Sequence, residues 1–231
     1  MAIKRKGSSK KVYIAIVLLV VLIAASVAVI YATQPAPVKV VVGVHVGDTF
    51  TYSLMGLSNL TSLNAVDTSG FSQYNNTDYY KITITGVSGT SVSLDTLWTF
   101  KNASDITGTQ TIDLSNGNKT DTNGFWAIYA SNLNVGDQLR PTGFDHVTVN
   151  ATDTMTYLNS TRTRNYMSVG GESYLATDPT HSTLRYDTTI VYFDKPTGML
   201  ETLIWITDYN NPEMREVISW NLVNSTVWVV K

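Results

Sequence analysis

The sequence predicts a mainly β protein: one antiparallel β-sandwich or curved half-barrel outer domain with a short helix, preceded by one N-terminal transmembrane helix. Three observations predict this fold class. An uncharged apolar run fills residues 12–32, a proline-containing segment follows at 33–38, and from residue 39 apolar residues alternate with polar ones. A chain of 231 residues, 43% hydrophobic and 15% charged, suits one large β core and is unlike a disordered chain.

The apolar run at residues 12–32 has the length of a membrane span. As a helix it extends about 31 Å at ~1.5 Å per residue, and the hydrocarbon core of a bilayer is about 30 Å thick. Tyr13 and Tyr31 lie near its ends, where aromatic side chains favour the membrane interface. We therefore predict an uncleaved transmembrane signal anchor, with the lipid bilayer as its partner.

Charge divides the chain into two parts. Residues 1–11 contain five lysines or arginines and no acid, whereas the rest holds 11 basic and 18 acidic residues. By the positive-inside rule, residues 1–11 stay in the cytoplasm, and the C-terminal domain of this single-pass membrane protein is extracellular. The small excess of acidic residues excludes a strongly basic nucleic-acid binder, so we expect no nucleic acid as a partner.

Two other interpretations of the N-terminus stay open. Small residues at 26–28 and 30–32 suit a signal peptidase, although the apolar region of a cleaved signal is usually shorter, about 7 to 15 residues. Lys6-Gly7 before the apolar run is similar to the processing site of archaeal type IV pilins, which implies a filament subunit that assembles through its hydrophobic helix. The polar residues 8–11 depart from the apolar start of those proteins.

A short, stiff stalk at residues 33–38 separates the anchor from the outer domain at residues 39–231. Pro35 and Pro37 lack the amide hydrogen that a continuing helix needs, and each favours extended geometry in the residue before it. The outer domain therefore begins as a separate folding unit.

Within the outer domain, alternation with a period of two predicts a hairpin over residues 80–100. A second hairpin is predicted around Asp-Lys-Pro-Thr-Gly at 194–198, because proline fixes one turn residue and glycine tolerates positive φ. Strands are also expected at 147–157 and 216–230. Residues 125–133 instead place apolar residues three and four apart, which predicts the short helix.

Seven Asn-X-Ser/Thr sequons lie in the outer domain and none lies in the anchor. This number is less than twice the chance expectation for the composition, so position carries more weight than count. We expect four sequons to lie in turns (Asn59, Asn75, Asn118 and Asn159), and Asn150 to lie on the polar face of a strand. The seven possible N-glycosylation sites are Asn59, Asn75, Asn102, Asn118, Asn150, Asn159 and Asn224.

The sequence predicts no catalytic, cofactor-binding or metal-binding residue, and hence a protein that is not an enzyme. It has no cysteine, and His45, His146 and His181 are far apart and form no local ligand motif. No nucleophile elbow, phosphate loop or zinc-protease motif occurs. The oxygen-rich loop from Asp113 to Asp121 leaves a calcium site as an alternative to a plain turn, and so does the acidic loop at 208–216.

Five tryptophans and 13 tyrosines offer a lipid- or sugar-binding surface. Because Trp98, Trp205 and Trp228 lie in predicted strands, we expect these three mainly in the core.

The overall layout resembles exported archaeal surface proteins of unassigned function. The resemblance rests on the anchor, the stalk, the Thr/Asn-rich β domain, the Val-Gly-Asp-x-Phe opening at 46–50 and the Tyr-Phe-Asp-Lys-Pro-Thr-Gly hairpin at 192–198. That hairpin is also similar to one in lipoprotein-carrier half-barrels, which are curved sheets that cradle an acyl chain. The chain departs from those proteins because it has no lipobox cysteine.

These features lead to three hypotheses about function. The first is a non-enzymatic, membrane-anchored surface protein with a structural, binding or accessory-subunit role, partnered by other envelope or membrane-complex proteins. The second is a half-barrel that binds lipid or glycan on a concave sheet face, for which an apolar cavity is the expected sign. The third is the pilin-like subunit that self-assembles.

Overall fold

The structure, a computed structural model, describes residues 9–33, 39–60, 70–120, 126–175, 177–211 and 213–230. Within helices and strands, side chains are not described at residues 9–12, 27–33, 59, 60 and 70. The chain divides into two compact units, Met1–Val38 and Lys39–Lys231.

The first unit contains helix α1, Ser9–Thr33. Neither proline nor glycine occurs in it, and its five alanines and three leucines favour a helix. The large apolar side chains described between Tyr13 and Ile23 are all exposed. Within the part of the chain that the structure describes, no helix has the length and apolar character needed to cross a membrane.

In its described residues, the second unit is one nine-stranded antiparallel sheet with one short helix, which confirms the mainly β prediction. Spatial order is β4-β3-β2-β1-β9-β8-β7-β6-β5, so the first and last strands pair in the middle of the sheet. The elements are β1 Thr49–Leu60, α2 Gly70–Asn75, β2 Thr77–Ser88, β3 Ser91–Phe100, β4 Asp105–Asp113, β5 Ala151–Thr156, β6 Thr161–Tyr174, β7 Leu184–Asp194, β8 Leu200–Asn210 and β9 Glu213–Ser225.

Both predicted hairpins are confirmed. Strands β2 and β3 pair around a turn at Gly89, and β7 and β8 pair around the turn at 194–198. In the second turn, the Asp194 carboxylate accepts hydrogen bonds from the backbone N–H and the hydroxyl of Thr197, at 2.9 and 2.6 Å. Gly198 has φ +76°, and a Cβ there would collide with the Tyr129 carbonyl, so only glycine fits.

The other two predicted strands are found at the predicted positions, but they begin or end at different residues. The segment predicted at 147–157 contains β5, which is shorter, and all six of its side chains are exposed. The segment predicted at 216–230 contains most of β9, which starts earlier and ends at Ser225.

The helix predicted at residues 125–133 is wrong. Residue 125 lies outside the described residues, and residues 126–133 run without a helix beside the start of β8. Ile128 forms a bridge with Met199, and the backbone N–H of Tyr129 donates to the Gly198 carbonyl at 2.9 Å. The backbone therefore pairs with a neighbouring segment, and spacing alone could not reveal that partner. The short helix of this domain is α2.

Val-Gly-Asp occurs at residues 46–48 and again at 135–137, and the two triplets form the same turn. Gly47 and Gly136 both have positive φ, at 97° and 89°. In each turn the aspartate carboxylate accepts a hydrogen bond from the backbone N–H three residues earlier, at 2.8 Å for Asp48 and 2.7 Å for Asp137. The triplet therefore specifies a local turn in two unrelated surroundings.

The hydrophobic core lies on one side of the sheet, which we call the packed face. It carries Phe50, Tyr52, Ile82 and Leu203, all buried. The segment at residues 126–149 contributes further buried residues to the same core, and so covers part of this face. The rest of the packed face, over β2, β3, β8 and β9, holds the candidate site.

Candidate functional site

A cavity of about 510 Å³ lies on the packed face, and we call it the aromatic cavity. Its wall combines side chains from β2, β3, β4, β8 and β9 with residues of α2. The lining comprises Gln73, Tyr74, Tyr80, Ile82, Leu94, Thr96, Trp98, Ile106, Thr107, Gly108, Thr109, Gln110, Ala127, Leu203, Trp205, Ile218 and Trp220. Among the described residues, none that lines this cavity is charged.

The aromatic rings of the cavity contact one another in a row. The Tyr80 ring lies 4.6 Å from Trp220 and 6.0 Å from Trp98, both edge to face, and Tyr74 lies 5.9 Å from Trp98. Edge-to-face rings stabilise each other beyond simple burial. The Trp98 indole N–H donates to the Thr77 hydroxyl at 2.7 Å, so its polar edge is satisfied by the protein. The row is therefore a rigid apolar wall.

The exposure of the tryptophans corrects one expectation from the sequence. Trp228 is in the core, as expected, at 5% exposure. Trp98 is half-buried, whereas Trp205 is 42% exposed although it lies inside β8. Among the described residues, the core cluster to which the segment at 126–149 contributes does not include Trp205. An exposed tryptophan beside a cavity presents its ring to a ligand.

A smaller cavity of about 230 Å³ adjoins the first, and we call it the polar pocket. The two cavities share Trp205 and Ile218. Five polar residues, which we call the open cluster, line the polar pocket or contact its lining, and all come from the ends of β7, β8 and β9. They are Arg185, Asp187, Thr207, Tyr209 and Glu216.

Hydrogen bonds hold the open cluster in one arrangement. The Arg185 guanidinium donates to Asp187 Oδ1 at 2.9 and 3.0 Å, and the Thr207 hydroxyl donates to the same oxygen at 2.7 Å. Burial alone would raise the pKa of Asp187, but these bonds lower it. Burial raises the pKa of Glu216, whose carboxylate lies 3.5 Å from the Tyr209 hydroxyl. The pocket thus offers both donors and acceptors.

Helix α2 forms part of both cavity walls, and Asn75 fixes it to the sheet. The Asn75 side chain donates to the Gly56 carbonyl at 2.8 Å and accepts from the Gly56 N–H at 3.1 Å. It thereby takes the place of a paired strand where β1 extends past β2. A Cβ on Gly56 would collide with the Phe71 ring, so glycine permits the close packing of α2.

A second charged group lies away from both cavities, and we call it the closed cluster: Arg162, Arg164, Asp194 and Glu201. Arg162 donates to both Asp194 oxygens at 2.7 and 2.8 Å. Glu201 is 3% exposed, neither of its carboxyl oxygens meets hydrogen-bond geometry with a donor, and Arg164 is 3.8 Å from one of them. Burial raises the pKa of Glu201 to about 7, although Tyr157 and the arginines lower it.

The structure separates the predicted sequons by their contacts. Three sequons differ from their predicted positions: Asn59 lies in β1, Asn75 is the last residue of α2, and Asn150 lies directly before β5. The side chain of Asn59 is outside the described set. The other six are exposed, but Asn75 is held by Gly56, and Asn150 accepts the Ser168 N–H at 2.6 Å. Asn118 lies in a turn, as expected, and its side chain is open to solvent.

In each of the two loops considered for calcium, an aspartate carboxylate is bound by the protein itself. Asp113 accepts hydrogen bonds from Thr90, Ser115 and Asn116; burial would raise its pKa, and these bonds lower it. Asp121 is outside the described residues. In the second loop, beside a cavity of about 630 Å³ at the β8–β9 turn, Asp208 pairs with Arg215 at 2.6 Å. Over the described ranges, no group of three metal-ligating residues occurs, the three histidines included.

The aromatic cavity and the open cluster were not identified from the sequence. One signal was available: in the hairpin of β2 and β3, Tyr80 and Trp98 are direct cross-strand partners. Trp205 and Trp220 reach the same cavity only through the pairing of β1 with β9 and of β8 with β9. No protein-family model matches the chain, and no curated protein is significantly similar to it. The geometry alone therefore carries the functional argument.

Proposed function

We propose that this chain is a membrane-anchored, exported and non-enzymatic protein whose β domain binds the apolar chain of a lipid in the aromatic cavity. The observation that carries the proposal is the cavity itself, with three tryptophans and two tyrosines in its wall. Its volume of about 510 Å³ falls in the range of small-molecule sites, about 300 to 1,000 Å³. The lining is uncharged and mainly apolar, which favours a hydrocarbon chain over a charged ligand.

The anchor supplies the source of such a ligand. In the sequence, residues 12–32 form an uncharged apolar run, and five basic residues precede it. These features support a signal anchor that holds the outer domain close to the extracellular surface of the membrane. A binding site so placed would meet lipid chains at high local concentration.

The sheet supports a half-barrel better than a sandwich. All nine strands belong to one sheet, and the strands at its two edges, β4 and β5, do not pair with each other. A second sheet, which a sandwich requires, does not occur in the described residues. We propose that the packed face is the concave side of a half-barrel, in keeping with the resemblance to proteins that cradle acyl chains.

Glycans at exposed sequons form part of the same proposal. Asn102, Asn118, Asn159 and Asn224 are exposed, and among the described residues no hydrogen bond to a distant part of the chain holds their side chains. A glycan at these positions would extend into solvent without displacing a structural contact. This arrangement supports an extracellular location.

Fluorescence quenching by a brominated chain tests the binding proposal. The full chain in lipid nanodiscs is titrated with bromododecanol, and with dodecanol as the probe that does not quench. We expect bromododecanol to quench tryptophan emission through Trp98, Trp205 and Trp220. No tryptophan lies in residues 1–38, so probe dissolved in the bilayer does not reach a fluorophore through the anchor.

Two matched variants make the test specific. Thr96→Phe fills the aromatic cavity and should abolish the quenching, whereas Thr83→Phe, on the opposite face of the sheet, should leave it unchanged. Equal emission with both probes in the wild type, or unchanged quenching in Thr96→Phe, would contradict the proposed function.

A further inference from the structure

The packed face changes from apolar to polar in steps along neighbouring strands. Residues that pair directly in an antiparallel sheet lie on the same face, and the next row on that face is two residues further along each strand. The row Trp220–Leu203 is buried, and the next, Ile218–Trp205, is shared by the two cavities. The row after that contains the polar pair Glu216–Thr207.

This order gives the site two chemically different parts in contact. Thr207 pairs in turn with Asp187, so β7, β8 and β9 all place polar residues in one row. Arg185 and Tyr209 follow two residues further on. A ligand that fills the aromatic cavity and extends past Trp205 would meet these groups next.

The open cluster has mixed charge, which limits the head groups it can accept. Asp187 already pairs with Arg185, so the cluster offers an anionic head group no unpaired cation, and Glu216 would repel it. A cationic head group would face Arg185 in the same small pocket. Side chains that include a guanidinium, two carboxylates and two hydroxyls instead suit a ligand that both donates and accepts hydrogen bonds.

We propose that the ligand is an amphiphile whose apolar chain occupies the aromatic cavity and whose uncharged, hydroxyl-bearing head group binds the open cluster in the polar pocket. This inference rests on the proposed function and names its ligand class. The exposed face of Trp205, at the junction, would pack against the apolar face of a sugar-like ring. Glu216 is the expected acceptor for a head-group hydroxyl, because its hydrogen bond from Tyr209 is long, at 3.5 Å.

Displacement of bromododecanol by two matched amphiphiles tests this inference. Octyl glucoside has a hydroxyl-bearing head group, and octyl methyl ether has the same chain without hydroxyls. In the full chain in nanodiscs, we expect octyl glucoside to displace the quencher at an about tenfold lower concentration, the size expected for hydrogen bonds to a charged acceptor.

The variant Glu216→Gln assigns this preference to the pocket. We expect it to reduce the preference for octyl glucoside severalfold without changing displacement by octyl methyl ether. Glu213→Gln, the same change on β9 outside both cavities, should retain the wild-type preference. Equal displacement by the two amphiphiles, or a preference that survives Glu216→Gln, would overturn the inference and leave the proposed function standing.

Two further outcomes are distinguishable. If neither amphiphile displaces bromododecanol, or bromododecanol does not bind, the proposed function fails and the inference fails with it. If octyltrimethylammonium displaces the quencher more strongly than octyl glucoside, the head group is cationic and the inference of an uncharged hydroxyl-bearing ligand is wrong.

Discussion

The open and closed clusters both combine arginine with aspartate and glutamate, but they differ in burial. In the closed cluster Asp194 is fully buried, and its carboxylate accepts two bonds from Arg162 and two from Thr197. In the open cluster Asp187 is 30% exposed and Arg185 is 32% exposed. The first carboxylate is saturated by the protein, whereas the second is partly exposed and contacts residues that line the polar pocket.

This difference in burial distinguishes a charged group with a structural role from one that is available to a ligand. The charges and hydrogen-bonding groups of a buried ion pair must be satisfied within the protein, because an uncompensated charge in the interior is very costly. A half-exposed pair next to an aromatic cavity keeps capacity for further hydrogen bonds. We therefore assign folding to the closed cluster and recognition to the open cluster, and the following substitutions separate the two roles.

Removal of the buried aspartate should have the largest effect. We expect Asp194→Ala to lower the free energy of unfolding by about 3 to 5 kcal/mol, because it leaves Arg162 without its counter-ion and the turn at 194–198 without its acceptor. Asp187→Ala, the matched change in the open cluster, should cost at most about 1 kcal/mol. Urea unfolding of both variants measures the two losses of unfolding free energy. Equal losses would contradict the expected difference between the clusters.

The turn that carries Asp194 should also be intolerant of a side chain. Gly198→Ala should cost about 3 kcal/mol, since positive φ and the Tyr129 carbonyl both oppose a Cβ. The control is Gly89→Ala, which also has positive φ but no atom within 4 Å of the new Cβ, and it should cost about 1 kcal/mol. Thermal unfolding of the two variants checks the difference, and equal costs would show that the close approach to Tyr129 is unimportant.

Stability should depend on pH through Glu201. Its pKa is about 7 in the folded chain against an ordinary 4.5, so the folded state holds more protons between these values. The free energy of unfolding should therefore fall by about 2 to 3 kcal/mol as pH rises from about 4.5 to 7.

Replacement of each glutamate in turn shows which of them causes the pH dependence of the free energy of unfolding. Glu201→Gln should flatten the pH profile of the unfolding free energy, measured in urea at several pH values. Glu216→Gln should flatten it less, because Glu216 is only half-buried, although burial raises its pKa in the same direction. A wild-type profile that Glu201→Gln leaves unchanged would show that Glu201 does not titrate in this range.

The smallest effect is expected at the contact that fixes α2. Asn75→Ala removes two hydrogen bonds to Gly56 and should cost about 1 to 2 kcal/mol, whereas Asn118→Ala should stay within about 0.5 kcal/mol. Peptide mass analysis of protein from native membranes gives a second measurement. We expect Asn75 to be unmodified and Asn118 to carry a glycan, and modification of Asn75 would show that its bonds to the sheet do not form.

Local features could be predicted from the sequence, and the site could not. The hairpin of β2 and β3 and the turn at 194–198 depend on neighbours in sequence, and alternation and turn residues reveal them. The aromatic cavity joins Trp98 to Trp220, which are 122 positions apart and meet only because β1 pairs with β9 in the middle of the sheet. Sequence patterns do not encode such a register, so these tryptophans were indistinguishable from core residues.

The small helix and the clusters were missed for related reasons. Six residues are too few for a helical period, so α2 could not be recognised before its contact with Gly56 was known. Arg185 and Glu216 look like ordinary polar residues of a strand, and only the ladder places them in one pocket. Alternation told which residues share a face of one strand, but not which strands are neighbours.

Binding of an apolar chain in the aromatic cavity is best tested by finding which tryptophans bromododecanol quenches. Trp98→Phe removes a tryptophan of the aromatic cavity, and Trp228→Phe removes one buried beside Arg162 in the closed cluster. We expect Trp98→Phe to remove a substantial part of the quenchable emission and Trp228→Phe to remove none of it. Quenchable emission that is lost with Trp228 and retained without Trp98 would contradict a binding site in the aromatic cavity.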